Sequence, residues 1–366
     1  MTFVNTLDYR HAAPESLGVL LVNLGTPDTP SVADVRRYLA EFLADRRVVE
    51  MARLPWMLLL HGIILRTRPK RSAEAYRSVW TPEGSPLLEI SRRQQTALQG
   101  LLDQRFGGPV KVALGMRYGN PSVPAALAEL KAANARRVLV FALYPQYSAS
   151  TTASVFDAVT RELQRWRWLP ELRFINQYHD EPGYIEALAA SIRAYWAEHG
   201  QAERLLLSFH GIPQEYFEQG DPYHCHCQKT ARLLAERLEL PSERWFLSFQ
   251  SRLGKSEWLK PYTDATLEEW GRQGVKSVQV LSPGFSADCL ETLEEVSIEN
   301  RDLFLEAGGE SYSYIPCLND NPDHMALLAD LIVRHCAGWP EVEGPAVAAA
   351  ELSARADRAR AMGAAG

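Results

Sequence analysis

Two stretches of this 366-residue chain concentrate the side chains that do chemistry. The first, residues 208–227 (SFHGIPQEYFEQGDPYHCHC), holds His210, His224 and His226 with Cys225 and Cys227. Imidazole and thiolate bind borderline transition metals, so a metal site is the first reading to weigh. The HCHC tetrapeptide, read as part of a loop, lacks the second, separated pair that a four-coordinate zinc site needs, and its adjacent side chains point apart. An iron–sulfur cluster would have to gather thiolates from Cys289, Cys317 or Cys336, far along the chain. His210 is different. It follows the apolar run 204–209 and precedes Gly211 and Pro213, which puts it at the carboxyl end of a strand. There a neutral imidazole takes a proton or presents a nitrogen to a metal near neutral pH, although a histidine satisfied by backbone is the competing account.

The second stretch is residues 288–300, DCLETLEEVSIEN. Glu291, Glu295 and Glu299 stand at i, i+4 and i+8, a ladder of carboxylates on one helix face with no lysine or arginine in the segment. A solvated acidic face is the usual explanation. Its place directly after the loop SPGFSA makes a path for protons or a hard cation the alternative. No Walker-type loop, GxGxxG fingerprint or GxSxG elbow follows a strand, so neither a nucleotide cofactor nor a serine nucleophile is indicated.

The elements that must position these groups follow from periodicity. Apolar runs at 18–23, 110–116, 137–143, 172–176, 204–209, 244–250, 277–282 and 312–315 read as strands. Helical spacing marks 31–43, 123–133, 183–198, 229–238, 263–273, 289–306 and 322–336. This alternation predicts an α/β fold of two doubly wound domains with parallel sheets and a cleft between them. The expected divisions are a tail at 1–16, a first domain at 17–160, a second at 161–337 whose last helix packs back on the first, and an Ala-rich tail at 338–366 that is frayed or marginally helical. Loops at 23–27 and 144–152, leaving strand carboxyl ends, should face one site.

A net charge of −6 argues against a nucleic-acid surface. Five scattered cysteines and the lack of an apolar leader suggest a reduced, cytoplasmic protein. The apolar run 54–65 falls short of the ~20 residues a membrane span needs. A buried helix flanked by solvated charges is the preferred reading; a helix lying on a membrane, with Arg66, Arg68, Lys70 and Arg71 at the surface, is the alternative.

Taken together, VNLGTPDTP at 22–30, YPQYSASTT at 144–152, SFHGIP at 208–213, FQSRLGKSEWLKPYTD at 249–264 and SPGFSADCLETLEE at 282–295 occur in an order that closely resembles the ferrochelatase family, of the bacterial protoporphyrin type. The resemblance implies a lyase of heme biosynthesis in which two Rossmann-like domains, the type II chelatase fold, clamp protoporphyrin IX and insert Fe2+ to give protoheme. It assigns catalysis and metal contact to His210 and Glu291, facing each other across the macrocycle, and a proton or metal path to Glu295 and Glu299. It assigns substrate contact to Leu24, Arg117, Tyr118 and Tyr147. It further implies no required cofactor, peripheral contact with the inner membrane face through 54–71, and upstream heme-pathway enzymes as partners. Some members carry a [2Fe-2S] cluster, whose four cysteines this sequence does not place. Cys289 stands where other branches carry histidine, which removes an imidazole from the ladder. The rivals are a chelatase for cobalt or for coproporphyrin, and a heme carrier without turnover.

Overall fold

The computed structural model describes residues 3–5, 9–252, 254, 256–344 and 347–364. Leu253 and Lys255 of the 249–264 motif, and the outermost parts of both expected tails with 345–346, lie outside the described residues. Eight strands form two four-stranded sheets, every pairing parallel. The first sheet contains β1 (Ser16–Thr26), β2 (Val110–Gly119), β3 (Ala135–Ala142) and β4 (Glu171–Ile175) in the order β2-β1-β3-β4. The second contains β5 (Arg204–His210), β6 (Trp245–Gln250), β7 (Ser277–Leu281) and β8 (Ser311–Ile315) in the order β6-β5-β7-β8. The two permutations are identical, so the chain is two Rossmann-like units of one topology. In such sheets ligands sit beyond the carboxyl ends of the strands, where the order reverses. That rule singles out the loops after β1 and β3 in one unit, and after β5 and β7 in the other.

The first unit's helices are α1 (Val32–Leu43), α2 (Arg53–Leu59), α3 (Leu65–Val79), α4 (Pro86–Arg105), α5 (Val123–Ala132) and α6 (Ser154–Leu163), with π turns at Leu60–Ile64 and Ala149–Ala153. The Ser31 hydroxyl caps α1 by accepting from the Asp34 amide, and Ser122 caps α5 in the same way. The second unit adds α7 (Pro182–His199), α8 (Gln214–Glu218), α9 (Tyr223–Arg237), α10 (Thr263–Arg272), a π helix (Glu291–Glu299) running into α11 (Asn300–Glu306), and α12 (Pro322–His335). Short α13 (Pro340–Glu343) and α14 (Ala349–Ala361) close the chain. One buried cluster runs from Leu17, Val19 and Leu21 of β1 to Leu205, Leu207 and Phe209 of β5, taking in α4, α7 and α12. A core continuous through both units holds the crevice loops in fixed relation.

Four expectations are revised. HCHC is no loop: with Asp221 accepting from the Tyr223 amide at 3.0 Å, α9 starts six residues before its periodic part and carries HCHC in its first turn. The acidic helix is π-wound from Glu291 to Glu299. The run 54–65 is not buried throughout: Trp56, Leu60 and Leu65 pack under α1, while Leu54 (72% exposed), Leu58 (68%) and Ile63 (57%) face outward. A helix that is apolar all round looks the same in sequence whether one face or two is covered. The Ala-rich end is an ordered helix, tied by Arg355 to the His11 carbonyl at 2.7 Å and the Tyr9 hydroxyl at 3.0 Å.

Candidate functional site

His210 is the last residue of β5, and its ring is oriented by its own neighbour. Nδ1 lies 2.6 Å from the Gly211 carbonyl. A carbonyl only accepts, so Nδ1 carries the proton and the lone pair is on Nε2. Gly211 is pinned by its amide to the Gln250 carbonyl at 2.7 Å, and a Cβ there would come within 3.0 Å of that oxygen and 3.1 Å of the Trp258 ring. The His210 and Trp258 rings are 6.4 Å apart. The HGIP turn therefore needs its glycine for close approach.

The Glu291–Glu299 π helix leaves the loop after β7, and its start is heavily braced. Buried Asp288 accepts from the Thr292 hydroxyl (3.0 Å), the Tyr314 hydroxyl (2.7 Å) and the Asn319 side-chain amide (2.7 Å). From the other unit, Gln94 of α4 donates to the Ser286 and Asn319 carbonyls at 3.0 and 2.9 Å. With about 4.4 residues per turn, π winding offsets positions four apart by about 30° one way instead of 40° the other, so the carboxylates stay on one face. Glu295 is gripped by Ser251 through its amide at 2.8 Å and its hydroxyl. Ser251 does this from a left-handed backbone conformation, φ 65°. Burial pushes the Glu295 acid up, Ser251 and the adjacent His210 hold it back, and Glu291 pushes it further up. Glu294, unassigned by sequence reasoning, is pushed up to about 7 by burial, then by Glu299 and Glu295. Glu299 is half-exposed and 4.0 Å from exposed Arg71. The ladder therefore runs from the buried surroundings of His210 to solvent.

Glu291 faces the first unit. Its charge reaches Tyr38 of α1, Tyr76 of α3 and Tyr144 after β3, pushing each phenol above its ordinary value in addition to the larger effect of burial. Leu24 packs beside Leu290 in one apolar cluster and beside Cys289 in another, so the two units meet here. The Cys289 thiol is pushed up by burial, then by Glu291. Gly25 (φ 110°), near the end of β1, lets that strand approach the Tyr118 backbone of β2, where a Cβ would lie 1.8 Å from the carbonyl oxygen. The structure thus sets His210 beside Glu295, and Leu24 beside the Cys289 and Leu290 that precede Glu291.

Arg117 and Tyr118 join a polar network with Asp45, while the Tyr118 ring belongs to the apolar cluster that also holds Leu24 and Leu290. Arg117 pairs with Asp45 and donates to the Ser154 hydroxyl at 2.6 Å; the fully buried Tyr118 donates to Asp45 at 2.8 Å. These polar atoms brace the first unit from within. Tyr147 is half-buried, and its amide donates to His226 Nδ1 at 3.2 Å. Among the described residues no group of three or more His, Cys, Asp or Glu is arranged to hold an ion. Two open cavities of about 270 and 450 Å³ share Pro27, Asp28 and Asn120, and neither is lined by His210 or the acidic helix. Sequence reasoning missed Ser251, Asp45, Asp288 and Glu294. Only Glu294 left a signal, as a fourth carboxylate in the run.

The family model described as ferrochelatase matches residues 16–336. The ferrochelatase of Thioalkalivibrio sulfidiphilus is 56% identical over 364 residues, covering 99% of each chain. That of Nitrosococcus oceani is 56% identical over 343 residues, 94% of this chain and 93% of the relative. Among solved structures, SirB from Bacillus subtilis with Fe3+ aligns with a TM-score of 0.53 at 11% identity, over 88% of this chain and 96% of that one. At that identity the likeness concerns the fold alone.

Proposed function

The chain belongs to the ferrochelatase family, and from that premise we propose how its residues divide the work. The reaction inserts Fe2+ into protoporphyrin IX to give protoheme, releasing the two pyrrole protons. Fe2+ is substrate, and it enters a ring that must be deformed so that nitrogen lone pairs meet the incoming ion. The observation that carries the reading is the His210 ring, oriented through Nδ1 by the Gly211 carbonyl and close enough to the acidic ladder for its charge to act on Glu295. In this reading Nε2 accepts the two pyrrole protons in turn, and the Glu295, Glu294 and Glu299 carboxylates pass each of them outward before the next is taken. Glu291, one turn earlier and opposite Leu24, supplies negative charge to the dehydrating cation. Leu24 and Tyr147 contact the macrocycle, and the Asp45–Arg117–Tyr118 network stiffens the wall behind it.

In this reading the first unit runs through β4 to residue 175 and the second begins after it, so the division falls later than the expected boundary at 160. No resident cofactor is required. Cys227 is buried in the main core and Cys225 is exposed on α9, so neighbouring thiols of HCHC point into different surroundings. Iron and sulfide analysis of anaerobically purified protein checks this, and a stoichiometric cluster would overturn it. No described helix is long and apolar enough to cross a membrane. The exposed face of Leu54, Leu58 and Ile63, with Arg66, Arg68, Lys70 and Arg71 following, supports peripheral attachment to the cytoplasmic membrane surface. Purified protein with Fe2+ and protoporphyrin IX under anaerobic conditions should quench free-porphyrin fluorescence catalytically. Stoichiometric binding without turnover would indicate a carrier, and turnover with coproporphyrin alone would indicate a different substrate.

A further inference from the structure

The HCHC motif is not used by the chemistry above, yet one of its imidazoles joins the two units. His226, in the first turn of α9, stacks on His179 with ring centroids 3.8 Å apart and planes 8° from parallel. His179 lies in the segment after β4, is 3% exposed, and its Nδ1 has no hydrogen-bond partner; the Asp180 carboxylate is 3.8 Å away. On its other side His226 accepts the Tyr147 amide. An amide only donates, so His226 Nδ1 carries the lone pair and its proton sits on Nε2. Around this bond the same loop is also tied to Thr230 of α9 and to Asp221 just before it. Gln146 donates to Thr230 at 3.0 Å, and the Ser148 hydroxyl and Ala149 amide donate to Asp221 at 3.0 and 2.7 Å.

We infer that His226 is a positioning residue for the crevice loop 144–149: as a neutral imidazole stacked on His179 it holds the Tyr147 backbone, and on protonation it releases it. The cation has a proton on both nitrogens, so the Tyr147 N–H would face another N–H. The stack adds a second constraint, because two imidazolium rings at 3.8 Å repel each other. The charged groups around the stack are Asp180 after β4, Asp221 before α9, Lys229 on α9, which pairs with Asp180 at 2.5 Å, and Arg47 close to Tyr147. The two aspartates favour the cation; Lys229 and burial oppose it, and the balance pushes His226 below its ordinary value. His179 is pushed down to about 4, by burial and then by His226. The clasp is therefore closed at neutral pH and opens as pH falls, loosening the loop that bears Tyr144 and Tyr147.

The functional consequence rests on the chelatase reading, but the contact can be tested without substrate. Amide exchange of Tyr147 in the intact protein, corrected for intrinsic exchange, should lose about tenfold protection between pH 7 and pH 5, following the titration of the His226 ring read by NMR. In His226→Gln, whose side-chain carbonyl accepts at every pH, that protection should change less than about twofold over the same range. A Tyr147 amide that stays protected while the wild-type His226 ring titrates would overturn the inference. So would an acid-dependent loss of equal size in His226→Gln. Loss of metalation with Tyr147 protection intact would instead concern the chelatase reading.

Discussion

At Glu294 burial and the neighbouring carboxylates raise the acid to about 7, well above its ordinary value. The folded state therefore holds this proton more tightly than the unfolded chain does. That contribution to stability is fully present below about pH 4.5 and is lost as pH rises through about 7. Glu294→Gln carries no charge, so it should match wild type at pH 5 and gain about 1 kcal/mol at pH 8, after allowance for solvent screening of a half-exposed group. Thermal unfolding at the two pH values measures the difference. Ser251→Ala addresses the partner carboxylate. It removes a hydroxyl that holds the Glu295 acid down, so the acid limb of the kcat–pH profile should move to higher pH. His210 and Glu291 were legible in sequence because each follows a strand end. Ser251 was not, because nothing local marks a serine that will adopt φ 65° and reach a glutamate 44 residues away.

Elements decide how far these residues can move. All eight strands were legible as apolar runs, since strands buried in parallel sheets carry little polar alternation to confuse the reading. α4 was not, although it is twenty residues long, because it is buried against both units and carries Ser91 and Gln94 at fully buried positions. Those polar residues are the useful ones: Ser91 accepts from Asn23, at the end of β1, and Gln94 holds the loop that starts the acidic helix. Gln94→Ala would leave the Ser286 carbonyl without its donor, while the Asn319 carbonyl keeps His324, at a cost of about 1–3 kcal/mol. Urea denaturation should show this loss, with a fall in kcat, because the loop before Glu291 would no longer be tied to the first unit. The π winding of Glu291–Glu299 was likewise invisible, since i, i+4, i+8 spacing suits either helix nearly equally.

For the whole molecule, two sheets of identical strand order present their switch-point loops to one another, and a shared core fixes the distance between them. In the proposed division of work each unit supplies part of the site: Leu24 and the tyrosines from one, His210 and the carboxylates from the other. The exposed apolar face on α2 and the π turn after it sits outside this arrangement and should be separable from it. Leu54→Glu with Leu58→Glu should abolish co-sedimentation with anionic phospholipid vesicles and leave thermal stability nearly unchanged, because both side chains are already solvated. Unchanged sedimentation would remove the case for membrane attachment. The central claim is that His210 and the acidic helix perform insertion, while porphyrin binding is carried by the surrounding walls. It is tested most directly by the anaerobic metalation rate of Glu291→Gln beside its protoporphyrin affinity from fluorescence titration. Turnover should fall by a factor of about 100 or more with affinity held within about threefold, the pattern of a group needed in the transition state rather than in binding. Turnover within a few-fold of wild type, with affinity intact, would contradict it.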